Sequence, residues 1–319
     1  MYIKDMKKLI KLGWLGAVAC MAIGCSDNDT LGDPDNALRC QGRLGVNGVP
    51  SATVVSRAET DGTDLAALCG LTVPEPSALR LKITGDDIKE LESGQEGTVE
   101  VSTFDYNESW ETLTAYNNEK PALFPGDYTA VLEYGDAEAI GPQKPYYRGQ
   151  ATGTVEAGKE TSCSVEVKIA NSVVRLTATN QFMGYFSDPQ FQLYLNGSTE
   201  PLKNDEGQPI VFTFAETDPL IFMPAATNVV VKGSVRRPSQ TNGTNADGEL
   251  LPIEVPVRAT AAGTLHTFKF TADAGGATIT VSFGSFGEDN ESIIELNDNA
   301  TVDDSGSQEG GGASDTPAE

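Results

Sequence analysis

Few residues of this chain could carry chemistry. Its 319 residues include a single histidine, His266, so any serine or cysteine nucleophile activated by imidazole must depend on that residue. His266 lies in the strand-like run Leu265-His266-Thr267-Phe268-Lys269-Phe270, where a half-exposed structural imidazole is the expectation. The sequence has no C-x-x-C pair, no H-E-x-x-H, no G-x-S-x-G and no phosphate-cradling loop. Gly310-Gly311-Gly312 has no lysine and no following helix pattern, and reads as linker. Paired carboxylates, Asp86-Asp87 and Asp303-Asp304, could hydrolyse a glycoside only by facing each other across the sugar. As neighbours in sequence they read instead as solvated turns. Two oxygen-rich stretches, Asp27-Asn28-Asp29 with Asp33 and Asn242 with Asn245, Asp247 and Glu249, lack the ligand spacing of a calcium loop. The expectation is therefore a non-enzymatic protein with no catalytic residue, no metal and no cofactor. Aromatic rings that could stack on a sugar cluster in one segment, with Trp110, Tyr116 and Tyr106 as the candidate glycan platform and Tyr146-Tyr147 as a smaller one. The competing assignment for such rings is the core of a β-sandwich.

Cys25 offers a different chemistry. Lys4, Lys7, Lys8 and Lys11 precede an apolar run from Leu12 to Gly24 that is shorter than the ~18 residues of a membrane span. The run ends in Ala22-Ile23-Gly24-Cys25, which resembles the bacterial lipobox, whose cysteine thiol takes a diacylglycerol. The resemblance implies a signal peptide over residues 1–24 and lipidation, palmitate included, at Cys25. Acyl chains, at about 0.8 kcal/mol per buried methylene, tether the body to the outer membrane without a spanning helix. Ser26-Asp27-Asn28-Asp29 resembles the tags that export Bacteroidales lipoproteins to the outer face of the cell outer membrane. Asp29-Thr30-Leu31 resembles an O-glycosylation acceptor of the same bacteria, which makes Thr30 the candidate site. Three cysteines then remain, and Cys163 alternates with Val165, Val167 and Ile169 on one strand face, so a Cys40–Cys69 disulfide is the first choice.

The chain carries a formal charge of −24. Setting aside the four lysines and one aspartate of the signal leaves 18 basic against 45 acidic residues, a balance of −27. No basic footprint for nucleic acid exists, and the acidity suits a solvated surface protein.

The elements that must position these groups are strands. Residues 25–37 are polar and read as a flexible acidic tether. Beyond them, period-two alternation punctuated by Gly, Pro and Asn dominates. Leu79, Leu81 and Ile83 share one face, as do Tyr128, Ala130, Leu132 and Tyr134. A second series starts at Ser172 and continues through residues 191–195, 229–231, 265–270 and 277–281. Leu265 is out of step with Phe268 and Phe270, which implies a bulge or a strand facing two environments. One short helix is expected around Asn180–Phe186. The fold class is all-β: two tandem antiparallel β-sandwich domains, immunoglobulin-like or transthyretin-like, over residues 38–170 and 171–285, with flexible termini. Residues 286–319 carry ten acidic and no basic side chains and read as a disordered tail, with Ile293-Ile294-Glu295-Leu296 either a final edge strand or part of it.

Four motifs carry a family resemblance. Pro125-Gly126-Asp127-Tyr128-Thr129 is similar to a P-G-x-Y-T turn entering a strand, and Lys144-Pro145-Tyr146-Tyr147-Arg148-Gly149 to a K-P-Y-Y-x-G loop. Val155 to Thr161 and Lys168 to Val173 follow in the same order. With the lipobox they resemble the Bacteroidales lipoprotein family known as domain of unknown function 4493. The two-domain plan is similar to that of the fimbrillins, surface lipoproteins that assemble into pili. That resemblance implies an adhesin or assembly component at the cell surface, with other pilus subunits or a host surface as partners. It also marks Arg57-Ala58 as a candidate processing site, because fimbrillin precursors are cut at such a place to free a strand-accepting groove. The acidic, glycine-rich C-terminal stretch departs from the fimbrillin pattern. The alternative function is a glycan-binding surface lipoprotein of a polysaccharide uptake system.

Overall fold

Alternation along the chain builds the sheets, and the computed structural model describes residues 41–56, 59–93, 99–237, 248–273, 278–284 and 291–295. In the first half, strands β1 (Arg43–Pro50), β2 (Thr53–Ser56) and β3 (Glu59–Asp64) lead into helix α1 (Leu65–Cys69). Strands β4 (Arg80–Ser93) and β5 (Val99–Trp110), helix α2 (Leu113–Glu119), and strands β6 (Gly126–Tyr134), β7 (Gly141–Pro142), β8 (Tyr147–Val155) and β9 (Glu160–Ile169) complete it. The second half begins with β10 (Ser172–Ala178), α3 (Asn180–Tyr185), β11 (Ser187–Leu195), β12 (Ile221–Met223) and β13 (Asn228–Arg237). It ends with β14 (Glu249–Ala259), β15 (Leu265–Ala272), β16 (Thr278–Gly284) and β17 (Glu291–Glu295).

The first six-stranded sheet has the order β1-β9-β8-β6-β4-β5. In β6, Tyr128, Ala130 and Leu132 are buried while Thr129, Val131 and Glu133 point out, as a strand with one wet face requires. Leu81 and Ile83 of β4, Tyr147 of β8 and Cys163, Val165, Val167 and Ile169 of β9 join the same core. The second half is a sandwich of the sheet β17-β16-β15-β10-β12-β7 on the three strands β11-β13-β14. Phe191, Val231 and Ile253 of the smaller sheet meet Leu176, Phe268, Phe270 and Val281 of the larger. The fold is all-β, and among the described strands the pairing is antiparallel except for two pairs: β1 runs parallel to β9, and β10 to β15.

Leu265 faces two environments rather than marking a bulge. The β10–β15 register runs without interruption from Val173↔Leu265 to Ala178↔Phe270. Leu265 packs with Val173 and Phe222 into the first core, whereas Phe268 and Phe270 fill the second. The halves are stitched further by β7, which pairs with β12 at Pro142↔Ile221 and Gly141↔Phe222. Asn171, in the connection, accepts the Tyr146 N–H through Oδ1 (3.2 Å) and donates through Nδ2 to the Lys144 carbonyl (2.9 Å).

Two short helices join the expected α3. Asp64 caps α1 by accepting the Ala66 N–H at 2.9 Å, and Gly70, at φ 68°, ends it. Thr112 caps α2 by accepting the Ala115 N–H at 3.0 Å. Each is too short to show an apolar period, so its caps are its only sequence signature. Of the two readings left open for Ile293-Ile294, the structure takes the edge strand, with β17 paired antiparallel to β16.

The quoted motifs now have physical roles. Tyr128 and Tyr147 are fully buried core rings, and Tyr146 donates its hydroxyl to Glu133 Oε1 at 2.7 Å. Gly149 lies where a Cβ would stand 2.0 Å from the Glu166 carbonyl oxygen, so β8 and β9 approach too closely for any side chain.

Candidate functional site

The candidate platform divides between core and surface. Trp110 closes β5 opposite Leu81, and its ring meets Tyr116 edge-to-face at 4.8 Å and 73°. Its indole N–H donates to Glu119 Oε2 at 2.7 Å. Tyr116 is completely buried on α2 and donates its hydroxyl to the Leu44 carbonyl. This corrects the expectation for Tyr116: a ring with no exposed face cannot stack on a sugar, and this one pins α2 and β1 to the sheet. Tyr106 leans on buried Tyr128 at 5.5 Å and 82°, so it too serves packing more than display. Burial, helped by the charges of Glu108 and Glu119, pushes its phenol up to about 12. Burial likewise holds Tyr116 and Tyr128 above the usual phenol range. Trp110 alone borders a surface groove, about 190 Å³ in volume, whose other walls include Arg80, Lys82, Glu111 and Glu133.

A larger cavity was not anticipated. It measures about 320 Å³ and is lined by Tyr134, Leu71, Asp136, Gln143, Lys144 and Pro145 among others. Tyr134 shares the inward face of β6, yet it ends the strand and remains 41% exposed. Its ring is held against Tyr147 at 6.4 Å. The walls are pinned: Arg80 donates to the Gly135 carbonyl at 2.8 Å, Asn171 to that of Lys144, and Lys144 pairs with Asp205 at 2.9 Å. Gln143 adopts φ 54°. Strand alternation predicts the direction of Tyr134 but not that the sheet stops beside it, which is why this site escaped the sequence.

His266 and the Asp86-Asp87 pair are held in structural surroundings. His266 is fully buried, not half-exposed, because the turn after Ala259 folds back over it and the Ala261 N–H donates to Nε2 at 2.8 Å. A ring nitrogen occupied in this way, out of reach of solvent, is unsuited to general-base work. Asp86 and Asp87 sit in a β-bulge of β4 rather than a turn, with Asp87 at φ 52° and its N–H donated to Asp105 Oδ1 at 3.3 Å. Among the described residues no group of three or more His, Cys, Asp or Glu side chains could hold a metal, and no helix is long and apolar enough to cross a membrane. Cys69 and Cys163 are free thiols, and the Cys69 thiol donates to the Leu65 carbonyl at 3.2 Å. Cys25, Thr30, Cys40, Arg57 and Ala58 lie outside the described residues, as do Asp303-Asp304.

The segment before residue 57 has the most distinctive geometry. From Gly42 to Val55 it is threaded through the first core, burying Leu44, Val46, Ala52 and Val54. Its β1 portion occupies the edge of the sheet in an eight-pair parallel register, Arg43↔Glu160 to Pro50↔Val167. The Ser51 N–H then donates to the Val167 carbonyl (2.8 Å) and the Val55 N–H to the Gly263 carbonyl in the second half (2.7 Å).

No curated protein matches the chain. Among solved structures, a candidate cell adhesion protein of Bacteroides ovatus aligns at 12% identity and TM-score 0.35, over 81% of this chain and 97% of that one. A candidate cell adhesion protein of Bacteroides eggerthii aligns at 10% identity and TM-score 0.34, over 74% and 88%. A fimbrial assembly protein of Parabacteroides distasonis aligns at 10% identity and TM-score 0.33, over 80% and 99%. A model of the family described as "Domain of unknown function (DUF4493)" matches residues 79–298, more than half of the sequence, and the chain belongs to that family.

Proposed function

We propose that this protein is a non-enzymatic lipoprotein of the outer cell surface, its precursor tethered through Cys25, that works as an adhesin or fimbrillin-like assembly component. One observation carries the reading. The segment before Arg57 is an insert: β1 is edge-placed and parallel to β9, β2 pairs with β3, and alternate residues of the segment lodge in the core. Cutting between β2 and β3, where Arg57-Ala58 stands, and then displacing the segment would leave a groove with an unpaired β9 edge and an uncovered apolar floor. Such a groove accepts a strand from a neighbour, by the same main-chain bonding that sheets use internally. The test is the N-terminus of surface-extracted material. It should begin at Ala58 and run as a ladder of oligomers on unheated gels, and Arg57→Ala should keep the chain whole and monomeric. Ladders unchanged by Arg57→Ala would sink the proposal.

A second reading, glycan capture, draws on the Tyr134 cavity, where an exposed ring stands beside carboxylate, amide and ammonium groups. Tyr134→Ala should then abolish retention of the protein on a glycan array while Trp110→Ala leaves it largely intact. Equal retention by parent and Tyr134→Ala rejects that site.

A further inference from the structure

We infer that the groove held by residues 42–55 reads the sequence of its occupant, through one position that excludes any side chain, a second that excludes a large one, and a terminal contact in the second half. The inference rests on the strand-accepting reading above and names what the strand must look like.

The occupant buries every second residue over its first part: Gly42, Leu44, Val46 and Gly48, followed by Ala52 and Val54. The two glycines are forced by their surroundings. A Cβ on Gly42 would stand 2.3 Å from the Glu156 carbonyl oxygen and 2.8 Å from that of Lys159. Both oxygens belong to the β8–β9 turn, closed by the Lys159 N–H on the Glu156 carbonyl at 3.2 Å. Backbone held this way has no cheap way to yield. Gly42 is fixed on its other side by a reciprocal bridge to Leu123, with N···O distances of 2.8 and 2.9 Å. A Cβ on Gly48 would meet the Cδ1 methyls of Leu79 at 2.7 Å and Leu132 at 2.8 Å. Those methyls can shift for a small group, but they close the site to a large one.

Between the glycines, Leu44 and Val46 fill sites that are 0% and 5% exposed. Ala52 and Val54, each 2% exposed, specify a small and then a β-branched side chain. The pattern is Gly-x-Leu-x-Val-x-Gly-x-x-x-Ala-x-Val. Its register cannot slip, because a shift by two residues drives a side chain into the Glu156 carbonyl. The far end is set by Val55. The register shift between Val54 and Ser56 leaves Val55 out of the β2–β3 ladder, and its N–H goes to Gly263 instead. The Val55 side chain itself is 62% exposed, so this last contact is made by the backbone alone. The fitting partner is therefore an extended segment of another polypeptide, parallel to β9, with glycine at both ends of its first apolar stretch.

The test uses the full chain nicked at a single engineered protease site between Arg57 and Ala58, so that the native segment stays bound without a covalent link. A fluorescent peptide of residues 42–55 is then offered in excess. It should exchange in, whereas peptides carrying Gly42→Ala or Gly48→Leu should compete about tenfold or more weakly. A Val55→Pro peptide, which lacks the N–H to Gly263, should compete about tenfold more weakly than the parent. Competition by the Gly42→Ala and Gly48→Leu peptides equal to the parent overturns this inference while leaving the strand-accepting groove intact. No exchange of any peptide, the parent included, overturns the groove reading and this inference with it.

Discussion

Phe270→Ala should destabilise the protein by about 3–5 kcal/mol, enough to consume much of a typical domain's margin. Phe270 is fully buried on β15, at the centre of three other rings. Its centroid lies 4.7 Å from Phe191, 5.1 Å from Phe214 and 5.8 Å from Phe182. These rings come from both sheets, from α3 and, for Phe214, from the connection between β11 and β12, so no single backbone shift can close the void. Phe214, moreover, is held at φ 61°, a conformation that its docking against Phe191 and Phe270 offsets. Equilibrium urea unfolding measures the loss; a Phe270→Leu variant should recover part of it by refilling the volume.

Gly149→Ala should cost about 3 kcal/mol, against the usual direction for such a change. Replacing a strand glycine commonly stabilises by about 0.4–1 kcal/mol, because the unfolded chain loses freedom. Here the new methyl would lie 2.0 Å from the Glu166 oxygen and 3.0 Å from the Val167 Cα, so steric repulsion exceeds the entropic gain. β8 and β9 must separate locally, and β1, the edge strand paired to β9, moves with them. Thermal melting read by circular dichroism should show the drop. A melting temperature at or above the parent's would mean that the two strands already have room.

Residues whose environment is set by neighbours in sequence were legible. The alternation of Cys163, Val165, Val167 and Ile169 fixes the buried face of β9, and the displacement of Leu265 from Phe268 and Phe270 announces a strand between two cores. What escaped depends on distant contacts. The parallel partners β1 and β9 lie more than a hundred residues apart, and no local pattern says which edge a strand will join. His266 alternates like a half-exposed residue and is buried by a turn that the strand pattern does not contain. Tyr116 lies on a helix of two turns, too brief for its apolar face to be recognised, and so the sequence leaves it between platform and core. Tyr134 failed in the opposite direction, with correct parity and a sheet that ends beside it.

The two residue pairs of β7 have a consequence for how the molecule comes apart. Gly141 and Pro142 complete a sheet whose other strands all follow residue 171, and Val173, Phe222 and Leu265 repay the loan by entering the earlier core. Neither half can lose its structure without exposing apolar surface of the other. The two halves should therefore melt in one cooperative transition. A gene divided at the Ala170-Asn171 connection would yield two fragments, each with a raw edge and a sticky face, rather than two independent domains.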